Sequence, residues 1–331
     1  MEYGIWNKET KGKRSRMKQK QRTALLLAAL CSLTGCGQTS TPVADIEETN
    51  WETLAESQEE TESVESQPEQ EETGESETAA ESETEETEDS GITITAQHFE
   101  GTSDPDDPAV SYTYAYDLPQ VTIQGNEAAQ EAVQADLQAY VDSFLAGLEY
   151  ADFGRIYEDS GPAMDCYQDL TMTVLRADEK AISIQMSNEG YGGGAHGWLT
   201  LAYFNYFPQT GERITFDQLG EGFREKAEEL VTEQARKIQQ EEGCFYEDFE
   251  SSIPLVVLDG TEKAEDVYQR VYGVYYGEYE GLKLDATFYL TDNGFAFVSG
   301  QYVLQPYVAG VEDFEIPAEE FGDACTINLW N

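Results

Sequence analysis

The chain has 331 residues, of which 66 are Asp or Glu and only 19 are Lys or Arg, for a formal net charge of −47 at pH 7. A polyanion of this density repels nucleic acid, so no nucleic-acid partner is expected; cationic proteins or peptides, divalent cations and simple electrostatic solubility remain as readings of the charge. With two histidines, His98 and His196, a His-rich metal site is excluded, and the five cysteines show no CxxC or Cys/His spacing, so neither a metal nor a cofactor is expected.

At the N-terminus, eight Lys and Arg residues between Lys8 and Arg22 precede a short apolar run from Ala24 to Leu33. That run is far short of a bilayer span, so the segment targets rather than crosses. Leu33-Thr34-Gly35-Cys36 follows at once and resembles the lipobox of bacterial lipoproteins. The resemblance implies residues 1–36 as signal peptide and lipobox, with cleavage before Cys36, a diacylglycerol on its thiol and a further acyl chain on the new amine. Two or more chains anchor stably where one is marginal, which places the protein at the cell membrane, lipid-anchored, on its extracytoplasmic side. A short buried helix is the competing reading, and Met17 would serve as an alternative start, since Lys18, Lys20 and Arg22 still supply positive charge. Gly37 stands where an aspartate would, by resemblance to lipoprotein sorting rules, retain a protein at an inner membrane.

Residues 37–90 hold 20 acidic and no basic residues and almost no branched apolar or aromatic side chains. Such a stretch cannot form a core, and its self-repulsion predicts an extended, disordered tether. Residues 91–331 change to a composition that folds, though with 44 acidic against 11 basic residues. That length suits one large domain or two small ones sharing an interface. Once the leader with Cys31 is gone and Cys36 is acylated, Cys166, Cys244 and Cys325 remain. Three cysteines allow one disulfide and a spare thiol, but they are scattered as buried small residues are.

In chain order, Ile92 and Ile94, then Val110, Tyr112, Tyr114 and Tyr116, then Val121 and Ile123 alternate as short strands. Asn126 caps a helix whose stripe runs Ala129, Val133, Leu137, Tyr140, Phe144 and Leu148. Met172–Leu175 and Ala181–Met186 flank a turn at 177–180, and Trp198–Phe207 reads as a long aromatic strand. Phe223, Ala227, Leu230, Gln234 and Ile238 mark a second helix, with Glu221 and Glu225 at its positive end. Phe288–Leu290 and Phe295–Val298 surround Thr291-Asp292-Asn293-Gly294, a hairpin turn, and Cys325–Trp330 reads as a final strand. Strands grouped around two separated helices predict an α+β fold, with antiparallel or mixed sheets packed against two main helices.

Tyr191-Gly192-Gly193-Gly194-Ala195-His196-Gly197, the aromatic strand after it, and Pro208-Gln209-Thr210-Gly211-Glu212-Arg213-Ile214-Thr215-Phe216-Asp217-Gln218-Leu219 carry a resemblance. So do Tyr289-Leu290-Thr291-Asp292-Asn293-Gly294-Phe295, Leu304-Gln305-Pro306-Tyr307-Val308-Ala309-Gly310 and Phe314-Glu315-Ile316-Pro317. In order and spacing they are similar to the RsiV-like extracytoplasmic domain, family of unknown function 3298, whose namesake is a lysozyme-binding anti-sigma factor. Leu118-Pro119-Gln120 and the helix after it resemble the smaller domain that precedes it there and in some peptidoglycan deacetylases. The resemblance implies a smaller α+β domain over 91–190 and an RsiV-like domain over 191–331. The chain departs from that family in its leader and acidic tether, which replace a sigma-binding segment and a transmembrane helix. An anti-sigma role is therefore not expected.

Gly192, Gly193 and Gly194 can expose amide donors to an anion, or simply let the chain cross a neighbour closely; no Lys or Ser follows to make a phosphate loop. His196 serves either as a residue that fixes this loop through backbone bonds, or as a ligand contact or base. No spacing singles out a nucleophile, so no catalytic residue is assigned and the chain reads as a binder rather than an enzyme. Tyr268, Tyr272, Tyr275, Tyr276 and Tyr279, with Tyr302 and Tyr307, are contact surface or core, and the acids Glu278, Glu280, Glu312 and Asp313 lie among them. The ligand-binding candidates are thus Gly192, Gly193, Gly194, His196, Tyr275, Tyr276 and Tyr307. The expected partner is a basic protein such as lysozyme; the alternative is peptidoglycan, bound by a glycan module or an envelope hydrolase-associated protein.

Overall fold

The computed structural model describes residues 90–103, 112–148, 166–192, 195–274 and 277–330. The leader, Cys36, the tether up to residue 89, Val110, Gly193, Gly194, Tyr275 and Tyr276 lie outside the described residues. The fold is α+β, with a five-stranded mixed sheet, a three-stranded antiparallel sheet and several helices.

Strands β1 (Ile92–Thr102) and β2 (Thr113–Ile123) pair antiparallel along their whole length. The short strands expected here are instead one continuous β2, which runs through Pro119. A proline has no N–H to give a ladder, so it belongs on an edge. Pairing of β2 with β3 stops at Tyr116, which leaves Pro119 on such an edge. The edge is then closed by glutamines of α1 (Glu127–Leu148): Val121 N–H donates to Gln134 Oε1 at 2.9 Å, Ile123 N–H to Gln130 Oε1 at 3.0 Å, and Gln134 Nε2 to the Pro119 carbonyl at 2.8 Å.

Asn126 caps α1 as its sequence predicts, its Oδ1 accepting from Ala129 N–H at 3.3 Å. Ala129, Val133, Leu137, Val141 and Phe144 form the buried stripe, with Tyr140 and Leu148 at its flank. It packs on one face of the sheet, against Leu170, Ile182, Ile184, Met186, Ala202, Phe204 and Tyr206.

The chain leaves α1 into β3 (Tyr167–Ala177), which runs parallel to β2, and continues antiparallel through β4 (Ile182–Tyr191) and β5 (Trp198–Tyr206). The Asp178 carboxylate organises the β3–β4 turn, accepting from Lys180 N–H at 2.7 Å and Ala181 N–H at 3.0 Å. β4 and β5 pair from Ile182–Tyr206 to Gly190–Trp198.

The opposite face carries a second core. It is built from α2 (Phe216–Leu219), α3 (Phe223–Glu242) and the hairpin sheet of β6 (Phe288–Leu290), β7 (Gly294–Ser299) and β8 (Glu312–Pro317). Phe216, Phe223, Phe288, Phe295, Phe297, Phe314 and Phe321 are all buried there. A buried polar bridge ties the two sheets. Ser183 Oγ donates to Asn205 Oδ1 at 2.6 Å, Asn205 Nδ2 to the Phe288 carbonyl at 2.8 Å, and Leu290 N–H to Ser183 Oγ at 3.1 Å. Every polar atom of this bridge finds a partner, the condition under which buried polar groups are tolerated.

Cys325–Trp330 is not a strand. Its backbone groups go to separate partners instead of a ladder: Thr326 N–H donates to the Leu219 carbonyl at 2.8 Å, and the Leu329 carbonyl accepts from Arg176 Nη2 at 2.6 Å. Cys244 and Cys325 are free thiols, and Cys166 is buried. A fourth helix, α4 (Ala264–Tyr272), ends at Gly273, whose φ of 68° is the left-handed conformation that suits glycine.

Candidate functional site

The loop after β4 is shaped by close backbone approach at two glycines. A Cβ on Gly190 would fall 2.3 Å from the Trp198 ring, and one on Gly197 would fall 2.4 Å from the Gly190 carbonyl oxygen. Gly190 and Gly197 thus each make a close backbone crossing, and Gly192 lies just past β4, half-buried.

His196 sits inside this turn. Its Nδ1 is 2.8 Å from the Gly197 carbonyl, which can only accept, so Nδ1 carries the proton. Nε2 is then an acceptor, and Tyr302 O–H donates to it at 2.9 Å. The Tyr307 ring stacks on the imidazole, centroids 3.9 Å apart at 19°, and the Tyr302 and Tyr307 rings are 5.8 Å apart. Gln301 adds a further tie, its Oε1 accepting from Leu199 N–H at 3.0 Å. Thus residues 301–307 are fastened to residues 196–199 by two hydrogen bonds and a ring stack.

Tyr302 has φ of 63°, alone in positive φ among the described non-glycine residues. A tyrosine there is strained by about 1 kcal/mol or more, and the bond to His196 and the turn closed by Val303 N–H on the Gly300 carbonyl at 3.2 Å hold it. A 3-10 turn at Tyr307–Ala309 follows, closed by Gly310 N–H on the Tyr307 carbonyl at 3.0 Å. Its tip is Val308, which is 92 % exposed.

The surroundings are anionic. Burial, then the charges of Glu189 and Asp169, hold the Tyr167 phenol above its ordinary range, with Tyr307 also acting on it. Burial likewise raises the carboxyls of Glu312 and Asp313, which follow the loop in sequence. Beneath His196 and Tyr302 a cavity of about 110 Å³ runs between β5 and β7.

With both ring nitrogens engaged, one by a carbonyl and one by a phenol, His196 has no nitrogen positioned to take a proton from a substrate. What the arrangement does supply is a rigid aromatic base under an exposed apolar tip.

Of the sequence candidates, His196 and Tyr307 come together. The α4 tyrosines are elsewhere: Tyr268 lies 6.0 Å from Tyr272 and 5.3 Å from Tyr279 between ring centroids. Tyr279 is core, whereas Tyr272 is 52 % exposed. Val308 and Gln301 were not singled out in the sequence; a lone valine inside a Pro306 to Gly310 turn was the available signal for the first. Among the described residues no group of three or more His, Cys, Asp or Glu is placed to hold a metal ion.

No protein-family model and no curated protein matches the chain. The structure is similar to two solved structures of DUF3298-family proteins. The one from Bacteroides fragilis is 14 % identical, with a TM-score of 0.48 over 70 % of this chain and 93 % of that one. The one from Pseudomonas aeruginosa is 15 % identical, with a TM-score of 0.46 over 72 % of this chain and 96 % of that one.

Proposed function

We propose that this chain is a lipid-anchored envelope protein, held by Cys36 outside the cell membrane, whose folded domain binds or senses a cationic protein, lysozyme being the first candidate. The observation that carries the reading is Val308, fully presented at the tip of a turn whose base is locked by the His196–Tyr307 stack. Tyrosine is enriched among binding hot spots, and the Tyr302 and Tyr307 rings lie at the base of this tip. The excess of 44 acidic over 11 basic residues in 91–331 supplies long-range attraction to a basic partner and accelerates encounter. The Leu33–Cys36 lipobox resemblance supplies the anchor and the acidic tether the reach.

Two tests address the two halves. Palmitate labelling of cells should mark the protein and be abolished in Cys36→Ser; labelling that survives the substitution contradicts the anchor. Val308→Asp and Tyr307→Ala should each weaken lysozyme binding about tenfold or more. Unchanged affinity in both would show that the partner binds elsewhere.

A further inference from the structure

The cavity beside His196 is lined by Trp198–Leu201 and Tyr203 of β5, Val298 of β7, Thr287 and the Gly300–Val303 turn. Two of its polar wall groups are already used within the protein. Gln301 Oε1 accepts from Leu199 N–H, and Thr287 Oγ1 donates to the Val256 carbonyl at 2.7 Å while accepting from Leu258 N–H at 3.0 Å. The surface left facing the space is largely aliphatic and aromatic, with Leu201, Val298 and Val303 prominent.

Size restricts the occupant further. Sites for drug-sized ligands measure about 300 to 1,000 Å³, whereas an apolar cavity of about 150 Å³ takes up a benzene molecule. At about 110 Å³ this cavity has room for one small ring or branched aliphatic end. Tyr302 lines it in its strained left-handed conformation, and such residues cluster at active sites, ligand clamps and switches.

We propose that this cavity is a binding site for a single uncharged group, one aromatic ring or one branched aliphatic end. The site goes beyond the receptor reading and does not depend on it. Such a group arrives either as a free small molecule or as one side chain of a bound polypeptide, for which the acidic excess of the domain favours a cationic chain.

The test titrates the full-length chain with toluene, with the peptide Lys-Lys-Phe-Lys-Lys and with its glycine counterpart Lys-Lys-Gly-Lys-Lys, by calorimetry and thermal unfolding. Val303→Trp fills the cavity from the turn, and Leu201→Phe fills it from the strand, so that one filled variant remains should the other fail to fold. Saturable toluene binding that raises the melting temperature and weakens at least tenfold in a folded filled variant supports the site. A Phe peptide that binds at least tenfold tighter than the Gly peptide, with the preference lost on filling, also supports it and identifies the side-chain source. Toluene and Phe peptide that fail to saturate, or that bind the filled variants as they bind the parent, overturn it. Because lysozyme takes no part, this outcome is separable from failure of the receptor reading.

Discussion

Nε2 of His196 and the hydroxyl of Tyr302 are 2.9 Å apart although 106 residues separate them in the chain. This contact joins the loop between β4 and β5 to the turn after β7, and it fixes the imidazole as its Nδ1–H tautomer because Nδ1 faces a carbonyl. Tyr302→Phe keeps the ring and removes the donor, so a loss of about 1 kcal/mol in urea unfolding is expected. His196→Ala removes both bonds and the stack on Tyr307, and a loss of about 2 to 3 kcal/mol is expected. Equal stability of His196→Ala and the parent would mean that the loop is not fastened here.

The Ser183–Asn205 pair makes a separate prediction. Ser183→Ala leaves Leu290 N–H without its acceptor in a fully buried place, and Asn205→Ala strands the Phe288 carbonyl and the Ser183 hydroxyl. Each should cost about 1 to 3 kcal/mol, the desolvation penalty of an unmet buried group. The double substitution should cost less than the sum, since both variants disable one network; strict additivity in a double-mutant cycle would contradict the bridge.

Arg176 pins the C-terminal segment. It is buried, reaches the carbonyls of Thr291 and Leu329, pairs with Asp178 at 2.6 Å, and lies over the Trp330 ring. Arg176→Met should destabilise by about 2 to 3 kcal/mol, with Asp178 partly solvated and so only modestly affected. Hydrogen exchange at residues 325–330 should accelerate more than at α1; uniform acceleration would place the effect elsewhere.

The pH profile follows from opposed groups. Burial first of all pushes the carboxyls of Glu228, Glu262, Glu312 and Asp313 above their ordinary range. Their contribution is fully present below the unfolded value and is lost as pH rises through the folded one. Asp178 and Asp259 go the other way. Burial works upward on both, but it is outweighed at Asp178 by Arg176 and the N–H groups of Lys180 and Ala181, and at Asp259 by Glu262, Thr261 and Phe216 N–H. Their contribution is present above the unfolded value and lost as pH falls through the folded one. Denaturant unfolding should therefore show stability rising as pH falls from neutrality, passing a maximum in mild acid, and declining below about pH 4. A monotonic fall from pH 7 downward would contradict this assignment.

The local part of the fold was legible because its causes are local. The α1 stripe, the Asp178 turn and the Thr291–Gly294 hairpin each depend on residues within a few positions. The continuity of β2 through Pro119 was not legible because it depends on Gln130 and Gln134 of the following helix. Cys325–Trp330 misled because its alternation reflects contacts with Arg176 and Leu219 rather than a neighbouring strand. At the site, His196 and Tyr307 stood out by rarity and motif, but their stacking is a product of tertiary approach across the whole C-terminal half. The exposure of Val308 likewise follows from how its turn docks, which no pattern of neighbouring residues encodes.

The receptor reading is tested most directly by calorimetric titration of the chain with lysozyme at low and at physiological salt, beside an equally basic unrelated protein. The account predicts saturable, lysozyme-selective binding that weakens with salt, as screened charge attraction must, yet survives at physiological strength through the apolar contact at Val308. No binding, or equal binding to the control protein, would contradict it and turn attention to cell-wall glycans.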